Sequence, residues 1–200
     1  MQSLTDVDWS VLPPPHDDGR AAHLTGKRFP RLSIRSTSAE SINIGALRGT
    51  TVLFVFPRIR SGNRPPSEKW EKTPGAKGCT PQACSFRDMY EVLRSRGVDH
   101  LYGLSAQPAA EQEEAVHRLH LPYDLLSDEK LRLAGTLRLP TFTFEGVRLF
   151  SRLTLIIRDG FIRHVFYPVF PPDANPQSVA QWLHEHASRL TRADDLSMSG

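Results

Sequence analysis

One stretch of the chain restricts the fold more than any other. Residues 51–56 form an unbroken run of β-branched and aromatic side chains, TVLFVF, and Pro57 ends the run. A strand that is apolar on both faces has to be covered on both faces, and such strands belong to sheets with helices packed against them. The run therefore favours an α/β fold.

Helix and strand patterns alternate after this run. Apolar positions between residues 80 and 96 recur at helical spacing until Gly97, and Asp159-Gly160 is a dipeptide that favours a two-residue hairpin turn. The order predicts a thioredoxin-like α/β fold with a central mixed β-sheet and helices on both faces. Helices are predicted over residues 80–96, 108–120 and 128–137 and around Val179, Trp182, Leu183 and His186, and strands over residues 51–56, 98–104, 153–158 and 161–167.

The length of the chain and the composition of its ends predict one domain with two extensions. Two hundred residues, of which 39% are hydrophobic, suffice for one ordinary core. The first residues mix prolines and charges without apolar periodicity, and the last ten are similar. We therefore expect an N-terminal arm over residues 1–23, a domain over residues 24–190 and a C-terminal tail over residues 191–200.

Charge and hydropathy exclude several classes of function. The net charge of +3 is scattered along the chain, so nucleic acid is not expected as a partner. No stretch approaches roughly eighteen apolar residues, and the N-terminus lacks a signal-peptide core, which predicts a cytoplasmic protein that does not bind membranes. The two cysteines are too few for a secreted disulfide framework, and a close pair in a reducing compartment is typical of catalysis, redox sensing or metal binding.

Cys79 lies where a glycine-containing loop becomes a helix, in the sequence PGAKGCTPQACSFRD. Unpaired N–H groups and the positive end of the helix dipole favour its thiolate, which is the nucleophilic form of cysteine. Pro81 supports this boundary, because its missing N–H costs little in the first helical turn. A thiolate that attacks a peroxide O–O bond becomes a sulfenic acid, and a nearby thiol such as Cys84 converts the sulfenic acid to a disulfide.

Several segments together resemble a known family. Over about residues 24–187 the chain is similar to peroxiredoxin Q, also called bacterioferritin comigratory protein, in VLFVFPR, PGAKGCTPQACSFRD, VDHLYGLSAQ, LLSD and SRLTLIIRDGFIRHVF. The resemblance implies a monomeric peroxidase without cofactor or metal ion, which reduces hydroperoxides and is recycled by thioredoxin or a similar dithiol. It also implies that Cys79 is the peroxidatic cysteine, that Cys84 is the resolving cysteine, and that the Gly78 backbone belongs to the site. The arginine that contacts the peroxidatic sulfur in the family corresponds to Arg152, whose fixed charge would stabilise the thiolate and the peroxide oxygens.

The first departure from the family's pattern is a missing hydroxyl. Ala76 stands where the family usually has Thr or Ser three residues before the peroxidatic cysteine. A hydroxyl contact to the peroxide is therefore lost. The candidates to replace it are Thr73, Lys77 and the backbone of Gly78.

The second departure is the loop of residues 58–76, which is usually much shorter in the family. Structureless loops of this length are uncommon and are usually functional or disordered. Its prolines and Trp70 suggest a semi-ordered cover over the Cys79 pocket that selects substrates by size. Trp70 would either line the substrate mouth or only fix the loop to the core.

Two other interpretations of the cysteine pair stay open. Cysteines at this spacing also occur among metal ligands, so a thioredoxin-fold metal-binding or metallochaperone module would use both with a distant histidine. A disulfide carrier without peroxidase activity is the other. Against a metal, the charge of Arg152 would repel a cation, and the histidines lie on predicted helices with polar faces, where exposure to solvent is expected. These histidines are His117, His120, His184 and His186.

Helix geometry makes a prediction that does not depend on the family. If Cys79 and Cys84 are both helical, a rise of about 1.5 Å per residue separates their Cα atoms by at least roughly 7.5 Å along the axis. Bridged cysteines have Cα atoms about 4.4–6.8 Å apart, so a disulfide requires the first turn or more to unwind. We therefore expect residues 80–87 to lie at the low-stability end of the domain.

Overall fold

A computed structural model describes residues 7–12, 14–60, 62 and 67–197, with side chains described as far as residue 187. Short 3-10 helices cover Trp9–Val11, Ile44–Ala46 and Pro172–Ala174. The strands are β1 (Ile34–Ser36), β2 (Ser41–Ile42), β3 (Thr50–Val55), β4 (Val98–Ser105), β5 (Leu125–Ser127), β6 (Thr141–Phe144), β7 (Val147–Phe150), β8 (Leu153–Arg158) and β9 (Phe161–Phe166). The helices are α1 (Glu68–Glu71), α2 (Cys79–Asp88), α3 (Tyr90–Ser95), α4 (Ala109–Leu119), α5 (Arg132–Leu137) and α6 (Asn175–Ser197).

A seven-stranded mixed sheet forms the centre of the fold, in the order β2-β1-β5-β4-β3-β8-β9. Strands β3, β4 and β5 run parallel, while β8 is antiparallel to both β3 and β9. The turn between β8 and β9 is the predicted Asp159-Gly160 hairpin, in which both residues have positive φ. Strands β6 and β7 form a separate two-stranded sheet.

The side chains of β3 alternate between two hydrophobic cores. Val52 and Phe54 belong to one core, to which α2, α3, α4 and α6 contribute, and Leu53 and Val55 belong to the other, with α5. All six residues of β3 are buried, as the uninterrupted apolar run predicted. The prediction of a central mixed sheet with helices on both faces is confirmed.

The helix predicted over residues 80–96 is wrong in one respect, because it consists of two helices. Met89, with φ −95° and ψ 3°, separates α2 from α3. Leu93 still returns to the core on the far side of the break, so apolar periodicity alone does not report a one-residue interruption. The helix predicted to begin at Asp128 begins at Arg132, and the Asp128 carboxylate instead accepts the N–H groups of Arg132 and Leu133.

The described parts of the two terminal segments contain more regular structure and more contacts than the composition suggested. Helix α6 continues to Ser197, into the segment that was expected to be a tail. In the N-terminal segment, Trp9 Nε1 donates a hydrogen bond to Asp173, and Leu24 is fully buried. The division into arm, domain and tail stays a prediction.

The described helices were also compared with the requirements of a bilayer. Within the part of the chain given above, no helix is both long enough and apolar enough to cross a membrane.

Candidate active site

Cys79 is the first residue of α2, as predicted from the sequence. The carbonyl of Gly78 accepts the hydrogen bond of Gln82 N–H, which closes the first turn, and Pro81 has no N–H to leave unpaired there. The N–H groups of Cys79 and Thr80 precede the first intrahelical bond, so the sulfur lies at the positive end of the helix.

Gly78 is required by its conformation and by its neighbours. Its φ of 103° lies in the region that favours glycine. A Cβ atom at this position would lie 2.7 Å from Cγ of Pro172 and 2.7 Å from a ring carbon of Trp9. Any side chain here would therefore displace the N-terminal segment and the turn before α6 from the start of α2.

Arg152 reaches the sulfur from the loop between β7 and β8. Its Nη2 lies 3.2 Å from Sγ of Cys79, and the residue is only 4% exposed. The same nitrogen lies 3.1–3.3 Å from the carbonyl oxygens of Gly75, Ala76 and Lys77. The backbone before α2 thus wraps around the guanidinium and holds it against the sulfur.

A buried polar chain, which the sequence did not reveal, fixes the other side of the guanidinium. Arg152 Nη1 donates to Oε1 of Gln82, whose Nε2 donates to Oδ1 of Asn175 at 3.1 Å. Thr154 Oγ1 donates to the same Asn175 oxygen at 2.6 Å. Gln82 lies three residues after Cys79, on the same face of α2, and this spacing is the one local signal that could have identified it.

Cys84 has different surroundings, although it lies on the same helix. It is buried in the core with Phe54, Phe86 and Tyr123, and Phe86 stacks on Phe54 with ring centroids 4.5 Å apart. Burial raises the pKa of the Cys84 thiol, and the nearby charge of Arg87 opposes this only in part. Both cysteines are free, so this is the dithiol form of the protein.

A small cavity of about 70 Å³ opens onto Cys79. Ala76 lines it, but its methyl group is fully buried and packs with Trp70 and Phe144 in a third apolar cluster. Of the candidates to replace the missing hydroxyl, Thr73 is bonded to the Lys69 carbonyl and does not line this cavity. The cavity is lined by Val7, Arg58, Arg60, Trp70, Ala76, Lys77, Gly78, Cys79, Thr80 and Pro81.

Trp70, in the long loop, lies both at the Cys79 cavity and in the third apolar cluster. Trp70 lines the Cys79 cavity, and its ring packs edge-on against Phe144 at 4.9 Å. Ser67 caps the short helix α1, which carries the tryptophan. Residues 61 and 63–66 lie outside the described residues, so the cover expected from this loop stays a prediction.

The four histidines considered as metal ligands lie on or directly after α4 and on α6. The side chain of His117 is 78% exposed and lies 3.9 Å from Glu113, while His186 stacks on Trp182 with ring centroids 4.3 Å apart. His120 and His184 are exposed. Within the described residues, no group of three or more His, Cys, Asp or Glu side chains is arranged to hold a metal ion.

Comparison with known sequences gives a consistent result. The profile of the Redoxin family matches residues 24–183. The chain is 30% identical over 169 residues to Peroxiredoxin Bcp of Escherichia coli K12, and the match covers 81% of this chain and 96% of that protein. It is 28% identical over 149 residues to Peroxiredoxin Q, chloroplastic, of Oryza sativa subsp. japonica, covering 74% of this chain and 61% of that protein. The chain thus spans less than two thirds of this chloroplast relative.

Solved structures agree on the fold. Peroxidoxin BcpB from Mycobacterium tuberculosis superposes with a TM-score of 0.66 at 21% identity, covering 82% of this chain and 98% of that one. A PrxQ mutant from Xylella fastidiosa gives a TM-score of 0.66 at 14% identity, with the same coverage of both chains. These likenesses confirm the predicted thioredoxin-like fold.

Proposed function

This chain belongs to the Redoxin family, and from that premise we propose that it is a thiol peroxidase of the peroxiredoxin Q and Bcp type, with Cys79 as its nucleophile. The observation that carries the proposal is the 3.2 Å contact between Arg152 Nη2 and Cys79 Sγ at the start of α2. A guanidinium cannot lose its charge at physiological pH, so it stabilises a thiolate beside it. The alternative of a metal-binding module fits this contact poorly, because the same charge repels a cation.

The first chemical step is attack of the Cys79 thiolate on one oxygen of the hydroperoxide. The S–O bond forms as the O–O bond breaks, and the second oxygen leaves as hydroxide or alkoxide and takes up a proton. Sulfur is oxidised to sulfenic acid, while the peroxide is reduced to water or an alcohol. Negative charge moves from sulfur to the leaving oxygen, and Arg152 lies where it stabilises both ends of that shift.

Hydroperoxides would enter through the cavity that opens onto Cys79. Its lining includes Arg58, Arg60 and Lys77, whose positive charges favour an electron-rich oxygen. Of the three candidates named above, the Gly78 backbone and Lys77 line this cavity, and Lys77 Nζ also lies 3.5 Å from Glu71. We assign the missing hydroxyl contact to Thr80, which lines the same cavity and was not considered on sequence grounds.

Resolution of the sulfenic acid is assigned to Cys84. The Cys84 sulfur displaces the sulfenic oxygen, which leaves as water, and the Cys79–Cys84 disulfide forms. A dithiol such as thioredoxin then supplies two electrons and two protons and restores both thiols. One chain supplies both cysteines and Arg152, so a monomer is sufficient. The proposed compartment is the cytoplasm, where thiols are kept reduced.

The test is peroxide consumption by the purified protein. With hydrogen peroxide and a thioredoxin system, the wild type is expected to turn over, and Cys79→Ser is expected to lose both turnover and sulfenate trapping. Cys84→Ser should keep the first oxidation but lose recycling, and its sulfenate should accumulate towards sulfinate. Ser95→Ala, which removes an exposed hydroxyl from the neighbouring helix α3, is the matched control and should keep both steps.

Three results would contradict the proposal. Substantial turnover by Cys79→Ser would falsify the assignment of the nucleophile. Equal loss of the first oxidation in both cysteine variants would remove the separate roles. Transfer of disulfides to other proteins without peroxide consumption would identify a disulfide carrier instead.

A further inference from the structure

The N-terminal arm packs one of its faces against the rest of the chain. In its described part, Val7, Trp9, Leu12 and Pro15 are half-buried, and the described residues between them are exposed. Val7 contributes to the wall of the cavity of about 70 Å³ that opens onto Cys79. The inner face of the arm therefore lies at the active site, and its outer face is exposed.

Trp9 is held on three sides. Its Nε1 donates a hydrogen bond to Oδ2 of Asp173 at 2.7 Å, and its ring packs edge-on against Phe170 with ring centroids 6.0 Å apart. One ring carbon lies so close to Gly78 that a Cβ atom there would be only 2.7 Å away. A hydrogen bond to a charged acceptor is stronger than a neutral one, and a paired ring adds to it. Trp9 thus connects the residue before α2 to the turn before α6.

The loop of residues 74–77 lies between the arm and Arg152. On its inner side, three of its carbonyl oxygens lie 3.1–3.3 Å from Nη2 of Arg152. On its outer side, Trp9 and Leu12 leave a gap of only about 20 Å³ against the same loop. The arm therefore supports from outside the carbonyl groups that hold the guanidinium in place.

Asp173 extends the contacts of Trp9 to a second point on α2. Its carboxylate accepts the hydrogen bond of Trp9, and its backbone carbonyl accepts the hydrogen bond of the Ser85 hydroxyl. Gly78 and Ser85 lie on either side of the segment that contains both cysteines. The group around Trp9 therefore reaches both ends of the part of α2 that a disulfide between the cysteines has to open.

We propose that Trp9 is a positioning residue of the active site, which holds the start of α2 closed and has to leave Gly78 when the Cys79–Cys84 disulfide forms. This inference rests on the proposed function. Unwinding of the first helical turn changes the backbone at Gly78, against which the ring packs without a gap. Trp9 therefore favours the form in which Cys79 faces Arg152, and it slows formation of the disulfide.

The consequence is a longer lifetime of the sulfenic acid. While α2 stays closed, a second hydroperoxide can oxidise the Cys79 sulfenic acid to sulfinic acid, and this hydroperoxide is itself reduced to water or an alcohol. A sulfinic acid does not form a disulfide with Cys84. The contacts of Trp9 thus determine how much of the protein is overoxidised at a given peroxide concentration.

The first test measures opening of α2 without peroxide. In Cys79→Ser, Cys84 is the only thiol, and it is 4% exposed, so N-ethylmaleimide reaches it only when the helix opens. Adding Trp9→Ala should increase the rate of alkylation about 10-fold, because the hydrogen bond and the ring contact are both lost. Ile157→Val, in the core on the other side of the sheet, should lower the melting temperature without changing this rate.

Variants at the other end of the hydrogen bond assign the effect to it. Asp173→Ala removes the acceptor and should speed up alkylation about 5-fold. Asp173→Asn keeps an oxygen that accepts a hydrogen bond and should stay closer to the parent protein. Adding Asp173→Ala to Trp9→Ala should have little further effect, because both substitutions remove the same bond. Val11→Ala is the matched control within the arm, since Val11 is 73% exposed, and it should change nothing.

The second test uses hydrogen peroxide and the intact cysteine pair. In stopped-flow measurements, Trp9→Ala should change the first oxidation of Cys79 little, because the closed form still predominates. Disulfide formation should be about 10-fold faster, in proportion to the alkylation rate. Mass spectrometry should show that Trp9→Ala requires more peroxide than the wild type for the same yield of sulfinic acid.

Two results would overturn the proposal. The first is an alkylation rate of Cys84 that ignores Trp9→Ala although the melting temperature falls, because Trp9 would then keep its place when α2 opens. The second is equal acceleration by Ile157→Val, because alkylation would then follow general unfolding. Faster alkylation of Trp9→Ala in a protein that consumes no peroxide would support the role of Trp9 at α2 and contradict only the proposed function.

Discussion

The two cysteines of α2 lie five residues apart and are buried in the same apolar core, but their polar neighbours differ. Around Cys79 there are a guanidinium, backbone carbonyls and a cavity, whereas around Cys84 there are aromatic rings and a thiol whose pKa burial has raised. The first environment provides the positive charge that the proposed nucleophile requires, whereas burial of the second sulfur raises its pKa and favours the protonated thiol. In the proposed function, one helix therefore carries both the attacking and the resolving cysteine, and the second sulfur reaches the first only when the helix changes.

The contacts that hold the Cys84 end of α2 are unusually well satisfied. Tyr123 donates its hydroxyl to the Ala83 carbonyl at 2.6 Å, Ser85 donates to the Asp173 carbonyl, and Arg87 donates to the Leu119 carbonyl at 2.7 Å. Disulfide formation has to break several of these bonds, because both cysteines are helical in the reduced form. Oxidation must therefore supply the free energy that opens the helix.

The largest expected effect is the opening of α2 on oxidation. Amide exchange over residues 83–88 should accelerate about 100-fold or more when the disulfide forms, because those amides lose their helical acceptors. Amides of β3 should stay protected, since that strand lies between β4 and β8 and is buried on both faces. Hydrogen exchange followed by mass spectrometry, with and without stoichiometric peroxide, measures both segments in one sample.

The control for exchange is Cys84→Ser, which is oxidised at Cys79 but cannot form the bridge. Its α2 amides should stay protected after peroxide. The prediction would be contradicted if an oxidised structure showed the Cys79–Cys84 bond inside a regular helix. It would also be contradicted if amide exchange over residues 83–88 in the wild type did not respond to peroxide. Either result would show that the disulfide forms without opening α2.

The second-largest expected effect is on the rate of Cys79 oxidation. Arg152→Lys keeps a positive charge but loses the planar group that contacts Cys79, Gln82 and the loop carbonyls together. The rate constant for Cys79 oxidation by hydrogen peroxide is expected to fall about 10-fold or more. Stopped-flow measurement of the first oxidation isolates this step from recycling. Arg163→Lys, on the face of β9 beside Phe161, is the matched control and should react like the wild type.

An unchanged rate in both Arg152→Lys and Arg152→Ala would exclude Arg152 from the site. A melting curve for each variant is needed beside the kinetics. Removal of a buried guanidinium leaves Gln82 and three carbonyls short of a donor, which affects folding as well as chemistry.

The smallest expected effect is on the stability of the helix around Cys84. Tyr123→Phe removes the hydrogen bond to the Ala83 carbonyl, which typically contributes about 1 kcal/mol, and should lower the melting temperature of the reduced protein by roughly 2–4 °C. The oxidised protein should lose less, because that part of α2 is already open. The Cys79–Cys84 disulfide should form faster, since less of the helix has to be broken.

Tyr90→Phe is the control, because Tyr90 packs beside Tyr123 with ring centroids 6.3 Å apart. Its melting temperature and its rate of disulfide formation should stay close to those of the wild type. Equal losses of stability in the reduced and oxidised forms of Tyr123→Phe would show that Tyr123 supports the core generally and does not hold α2 closed.

The parts of the fold that sequence could predict are those with a strong local pattern. The apolar run of β3 and the Asp159-Gly160 hairpin are examples, and both are found where they were expected. Strands β1, β2 and β5 have only two or three residues each, too few for an alternation to register. The β6–β7 hairpin turns at Glu145-Gly146, which lacks the usual Asn or Asp before glycine.

The active site also has parts that local sequence predicts and parts that it does not. The start of α2 and the position of Cys79 follow from local sequence, and the pairing with Arg152 was expected only through the family resemblance. The spacing after Cys79 could place Gln82 on the same face of α2, but no local pattern predicts its bond to Asn175, which lies far away in the chain. The contact between Trp9 and Asp173 escaped prediction because the N-terminal arm has no periodic pattern.

The packing of Trp9 and Pro172 against Gly78 has a consequence for biosynthesis. The start of α2 is held by a residue that precedes it by about seventy positions and by a turn that is translated about ninety residues after it. A nascent chain that has emerged only as far as β7 contains Cys79 but neither Arg152 nor Asn175. Domains fold as units once their sequence is available, so the surroundings of Cys79 are complete only after α6 has been synthesised. A ribosome whose chain has not yet reached α6 therefore exposes Cys79 without the contacts of Arg152 and Asn175, and the proposed sensitivity to peroxide is acquired only when α6 is free to dock.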